Sequence, residues 1–361
     1  MSVGPAMTLE VEHKLDCPNP KRISYSKRGK SRWYGFYAGY SSEFVRYAIK
    51  TLNIPTDATI MDPWNGSGTT TQVANELGYS AIGFDANPIM IIVAKAKSIN
   101  PECKNTILEK YNEIIEVASD PHFGHRMHLD PLETWFMPSS ASVYRHIEQA
   151  LEQVFVQNSP FDIEEPLLRV SNLVREISSE GAFYYTGLFT PLSKSLKPFW
   201  ATNPTWIKTP TLDQRISRNA EQIYSAFKEC ILNMTKDLEE KPSIQVPKYP
   251  KLKLEVGSSQ QMPISSTSID AVISSPPYCT RIDYVIATKP ELALLGYPMD
   301  EKLRLLRNSM IGTPTIFKKK LDNNNEWGIT CNGFLRNVAN HYLFSEDVPP
   351  TSTIQQAVGR I

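Results

Sequence analysis

Two short stretches of this 361-residue chain carry residue types whose spacing can do chemistry. The first reads Asp62-Pro63-Trp64-Asn65-Gly66-Ser67-Gly68-Thr69-Thr70. Glycines at 66 and 68 let the backbone approach a ligand closely. A helix starting directly after them aims free amides at a carboxylate or phosphate. Twenty-three residues after Asp62, Asp85 ends the next apolar run, where an acid accepts both hydroxyls of a ribose. The second stretch is Ser275-Pro276-Pro277-Tyr278, directly after the apolar run IDAVIS. Consecutive prolines stiffen the backbone and remove two amide donors. What remains is rich in acceptors, the Ser275 hydroxyl and the Pro276 carbonyl, beside the flat face of Tyr278. That set suits an aromatic amine, which donates two N–H bonds and stacks. Drawing its hydrogens aside localises the nitrogen lone pair, which can then attack an electrophilic methyl group in line.

The surrounding pattern supplies the elements that hold these residues. Residues 58–61 read as a short apolar strand, 65–70 as a glycine turn, 70–77 as a helix ended by Gly78, and 80–84 as a second strand. This is one β-α-β unit of a doubly wound parallel sheet, with both acids at strand ends. Upstream, 41–52 is predicted to be an amphipathic helix capped by Ser41. Strand character returns at 251–256 and 269–274. Between them the alternation stops, and helices are predicted at 139–157, 163–180 and 211–238, with a Pro-rich irregular stretch over 187–210. The expected architecture is therefore α/β, a sheet interrupted by a mainly helical insertion. Residues 1–32 form a basic arm, 33–100 with 249–361 a discontinuous sheet domain, and 101–248 the insertion.

Composition narrows the class. The chain has zero formal net charge and 41% hydrophobic residues, those of an ordinary globular protein. No run approaches the roughly 20 apolar residues that span a bilayer, and no signal peptide opens the chain, so no membrane is expected and the location is cytoplasmic. The five cysteines are scattered without a C-x-x-C pair, which points to reduced thiols and no zinc site. Lys21, Arg22, Lys27, Arg28, Lys30 and Arg32 form a basic run without an acid, suited either to phosphate contact or to a solvated arm.

The motif D-P-W-N-G-S-G-T-T resembles the cofactor loop of DNA amino-methyltransferases, and S-P-P-Y resembles their catalytic tetrapeptide. The resemblance implies a Rossmann-like fold using S-adenosylmethionine, with Gly66, Gly68 and Thr69 at the methionine end. Asp62, Pro63 and Asn65 would lie close by, and Asp85 at the ribose. It implies that Ser258, near Gln260, neighbours the adenine, and that 33–44 adds a further cofactor-binding segment. Ser275, Pro276, Pro277 and Tyr278 would hold the target base, flipped from duplex DNA with Tyr278 replacing its stacking. A serine at the first catalytic position is more typical of cytosine-N4 than of adenine-N6 enzymes in this family. Cytosine N4 is the favoured target, within a restriction-modification or phage-related system. Adenine N6, an RNA amino group, and an inactive or split subunit that binds DNA are the alternatives. No metal or covalent nucleophile is required, so Cys279 is read as a bystander.

The insertion is the candidate target-recognition region, with Trp135, Trp200, Trp206, Lys194, Lys197 and Lys208 as candidate DNA contacts or, equally, parts of a helical cap. The resemblance also implies further strands after the catalytic loop, yet 291–361 shows helix patterns instead. The expectation is that the C-terminal strands are missing, with a second polypeptide or another copy completing the sheet of a truncated or degenerate copy, an unusual ending being the alternative.

Overall fold

A computed structural model describes residues 17–21, 29–35, 39–124, 129–156, 165–201, 206–239, 251–277 and 282–310. Its centre is a parallel sheet of four strands: β1 (Thr59–Asp62), β2 (Ser80–Asp85), β3 (Leu252–Val256) and β4 (Ala271–Val272), ordered β3-β2-β1-β4. The register pairs Ile60 with Ala81 on one side of β1 and with Ala271 on the other. Successive strands β1, β2 and β3 move one way across the sheet, and β4 returns to the far side of β1. The chain therefore switches direction between β1 and β4, where crevices open at strand C-termini in such sheets.

One face of the sheet is covered by α1 (Ser42–Leu52) and α2 (Thr69–Glu76). Ser41 caps α1 by accepting from the Phe44 amide, and Val45 and Ile49 pack with Ile60, Val73 and Ala81. The other face carries α3 (Pro88–Lys97), started by the Asn87 cap. Nine of the ten α3 residues are buried, because α3 is sandwiched between the sheet and the helices of the predicted insertion. Those helices are α4 (Ile107–Ser119), α5 (Pro138–Phe155), α6 (Pro166–Glu176), α7 (Ser179–Ser195) and α8 (Ala220–Lys236). They share one apolar core with α3, so the helical region serves as the second covering layer of the sheet.

Three sequence expectations are corrected here. The helix predicted at 163–180 is two helices, because Ile177 is extended and Ser178 caps a new start by accepting from the Gly181 amide. The first part of the 187–210 stretch is helical, since α7 continues through Pro191 to Ser195. Gly187, one turn before Pro191, leaves room for Ile231 of α8; a Cβ at 187 would lie 2.4 Å from Ile231 Cδ1. At β4 only two residues of the six predicted pair with β1. The helices α3 and α4 were not anticipated.

After β4 the chain forms α9 (Lys289–Leu294) and α10 (Glu301–Ser309). Short α9 is gripped at its C-terminal end. Arg145 donates to the Ala293 and Leu294 carbonyls and Arg169 to Leu295, which satisfies helix-end acceptors. Both guanidiniums sit among buried Asp130, Glu148 and Glu152. Residues 311–361, on which the expectation of missing strands rests, lie outside the described residues. Among the described residues β4 pairs on one side only, and no helix is long and apolar enough to cross a membrane.

Candidate active site

At the end of β1, Asp62 is fully buried. Its Oδ1 accepts from the Trp64 amide (3.1 Å) and from the Ser274 hydroxyl (2.6 Å). Among the described residues Oδ2 has no partner within hydrogen-bond distance. Burial raises the Asp62 carboxyl above its usual range, opposed by the Ser274, Thr70, Trp64 and Tyr40 donors. Tyr40, just before α1, is itself raised by burial and by the Asp62 charge.

The glycine turn follows. Asn65 donates its amide to the Phe84 carbonyl of β2 (2.9 Å), and its side-chain oxygen accepts from Thr71 (2.8 Å). Its carboxamide fills the space above Gly83, where a Cβ would come within 2.5 Å of it, and Nδ2 is buried without a partner. Gly68 has φ +81° and a Cβ there would lie 2.7 Å from the Ala94 Cβ, so this position excludes side chains both by conformation and by contact. Beneath the turn, buried Lys97 donates to the Ser67 carbonyl at 2.6 Å. From Thr69 onward α2 presents its first amides to this side.

Asp85 closes β2. One carboxylate oxygen accepts from the Gly66 amide (2.8 Å), the other from the Asn87 amide (2.8 Å). Burial lifts its carboxyl to about 6, helped by the nearby Asp62 charge and opposed by those two amides. Each oxygen keeps a lone pair for a further donor. Beyond β3, Ser258 is exposed, and its hydroxyl accepts from the Gln260 amide (3.2 Å). The Gly257 amide donates to the Asp85 carbonyl (3.0 Å), so the turn carrying Ser258 is tied to the end of β2.

The second motif meets the first. The Ile273 amide bonds the Met61 carbonyl (3.1 Å), and Thr70 of α2 donates to the Ile273 carbonyl (3.1 Å). Ser274 then reaches Asp62, so Ser275, Pro276 and Pro277 leave the sheet beside Asp62 and Pro63. Tyr278 and Cys279 lie outside the described residues. Below this loop, Asn87 donates to Thr288 (2.8 Å), tying the chain after the catalytic loop to β2. The sequence reasoning missed Ser274, Asn87, Thr70 and Lys97. Only Asn87, as a cap before Pro88, left a readable signal.

Other predicted site residues are placed elsewhere. Trp33 is buried against Phe183 and donates to Asp237 (2.9 Å), and Tyr34 donates to Glu291 (3.0 Å), so both belong to the helical core rather than the pocket. Lys30 and Arg32 bond the Lys97 carbonyl (2.7 Å) and Asp237 (2.7 Å), which anchors that end of the basic run to the fold. Trp135 is fully buried and donates to the Lys208 carbonyl, which removes it from the candidate DNA contacts. Trp200 is half-buried, whereas Trp206, Lys194, Lys197 and Lys208 are exposed.

A parallel sheet whose switch point joins a glycine turn, a strand-end acid and a proline-rich loop is consistent with a Rossmann-like methyltransferase fold. Residues 19–96 match the family model described as DNA methylase. Over that segment the chain is similar to DNA amino-methyltransferases, with the N4 and N6 branches not separated. It is similar to the Type II methyltransferase M.BsoBI of Geobacillus stearothermophilus, 27% identical over 325 residues, which is 87% of this chain and 62% of that protein. The chain thus spans less than two thirds of that relative's length. No solved structure matches.

Proposed function

We propose that the chain is a DNA methyltransferase that moves a methyl group from S-adenosylmethionine to cytosine N4 of a flipped base. The observation that carries this reading is the β1–β4 pairing, which brings Asp62 of the glycine loop and Ser274 to bond each other at the same end of the sheet. The side chains present suit the cofactor. Asp62 Oδ2 is a buried acceptor with no partner, fit for an ammonium group, and Asn65 Nδ2 is a buried donor with none. The α2 amides favour a carboxylate, and Asp85 has lone pairs left for ribose hydroxyls. When bound, S-adenosylmethionine supplies a methyl group on a positively charged sulfur.

The chain's own residues do the rest. The Ser275 hydroxyl and the Pro276 carbonyl accept from the exocyclic amino group, and the rigid proline pair keeps them in place. Tyr278 stacks on the base. Asp62 and Asp85 orient the methyl donor so that the amine meets it in line. Ser275 is what favours cytosine over adenine. We further propose the helical region as the DNA-facing part. Residues 194–218 hold Lys194, Lys197, Lys208, Arg215 and Arg218 against one acid, Asp213, in a chain of zero net charge, and the exposed Trp206 lies among them.

Incubation with labelled cofactor and DNA, followed by nucleoside mass spectrometry, tests the reading. N4-methylcytosine is expected, and Tyr278→Ala should cut its formation at least a hundredfold, on the order of the losses from removing one key active-site group. N6-methyladenine would transfer the reading to the other branch, and label confined to RNA would overturn it.

A further inference from the structure

We propose that Ser274 is a positioning residue that couples the cofactor loop to the base loop through Asp62. This rests on the methyltransferase reading above. Ser274 and Asp62 are 212 positions apart, yet the hydroxyl donates to Oδ1 at 2.6 Å across the end of the β1–β4 pair. Asp62 is fully buried, and its two oxygens are used differently. Oδ1 takes the Ser274 hydroxyl and the Trp64 amide, while Oδ2 has no partner within hydrogen-bond distance among the described residues, the Tyr40 and Thr70 hydroxyls facing the carboxylate from farther off. Ser274 thereby fixes the carboxylate so that the free oxygen remains for a cationic donor, the amino group of the cofactor. The same bond runs the other way. A cofactor held on Oδ2 keeps Asp62 in place, and Asp62 then holds the residue directly before the Ser275-Pro276-Pro277 turn. Cofactor and flipped base are expected to favour each other's binding, and that coupling is reciprocal.

Ser274 is also the leading donor opposing the burial of Asp62. Removing it makes the ionised carboxylate costlier and shifts the acid side of cofactor binding to higher pH. The groups facing Asp62 are Tyr40 before α1, Trp64 and Thr70 around the turn, and Asp85 on β2. Asp85 is raised as well but has no bond to Ser274, so a difference between variants reports on Asp62.

The test is calorimetric titration of the full chain with S-adenosylmethionine from pH 5.5 to 8.5, for wild type, Ser274→Ala and Ser274→Thr. Ser274→Ala should weaken binding about tenfold at pH 7, the scale of one hydrogen bond to a charged group. Its acid limb should move upward, and Ser274→Thr, which keeps the hydroxyl, should restore both. If the alanine variant does not fold, Ser274→Cys, close in size and a weak donor, takes its place with a smaller shift in the same direction. DNA affinity measured with and without cofactor should show a coupling that Ser274→Ala removes. Wild-type binding with an unshifted, equally tight Ser274→Ala curve overturns the inference and leaves the methyltransferase reading standing. Absence of cofactor binding by wild type overturns that reading, and the inference with it.

Discussion

The carboxyl of Asp85 offers the sharpest test of how the cofactor pocket works. It titrates near 6 because burial and the Asp62 charge outweigh the Gly66 and Asn87 amides. Ribose hydroxyls bind the ionised form. At pH 5 only about one Asp85 in eleven is a carboxylate, and at pH 8 nearly all are, so cofactor affinity should rise about tenfold between them, or about 1.4 kcal/mol. Stability of the free chain should move the opposite way. The folded state holds a proton that the unfolded chain releases from 3.8 upward, so unfolding free energy falls as pH rises from about 4 to 6 and stays low above that. A shift of about two units sets an upper bound of about 3 kcal/mol, reduced where water reaches the carboxylate. Calorimetry gives the affinity, and chemical denaturation without cofactor gives the stability. Asp85→Asn should flatten both pH dependences and weaken binding at pH 8. A cofactor affinity that stays within twofold from pH 5 to 8, or an Asp85→Asn variant that keeps the wild-type slope, would refute the assignment.

Three further outcomes follow from geometry. Gly68→Ala forces a side chain into φ +81° and against Ala94, and should cost about 1–3 kcal/mol of stability together with cofactor binding, read by thermal melting and calorimetry. Arg145→Met leaves Asp130 and Glu148 buried without that cation and the α9 carbonyls without a donor, so a loss of about 3–5 kcal/mol is expected in denaturant titration. Lys197→Gln with Lys208→Gln should lower the slope of log DNA affinity against log salt by up to about 1.8, the value for two phosphate contacts, in a fluorescence binding assay; an unchanged slope would place the DNA elsewhere.

The glycine turn and its two strand-end acids were legible because their signals are local. The strand, the glycine turn, the helix and Asp85 all fall within residues 58–85, and their spacing alone dictates that Asp62 and Asp85 end neighbouring parallel strands. Ser274 was not legible, since its role depends on which strand pairs with β1. Tyr40 lay within the segment 33–44 that the resemblance pointed to, but that it rather than Trp33 or Tyr34 faces Asp62 depends on how the chain before α1 packs. Trp135 looked like a DNA contact because sequence reports a side chain's chemistry and not its exposure. In α7, proline was taken as a breaker, but Pro191 is buried within the helix, and packing of α7 against α3 and α8 overrides that local rule. The α3 run, apolar on all sides, hid its helix period because it is buried all round.

The β2–β3 pair has a kinetic consequence. Strand β3 aligns with β2 only after more than 160 intervening residues have been made, about twice the separation of α3 from α7, its main partner in the helical layer. Contacts that close such long loops form late and slowly. The helical layer should therefore assemble on α3 before β3 and β4 dock. The chain would pass through a species rich in helix but unable to bind its methyl donor, with the outer strands joining last.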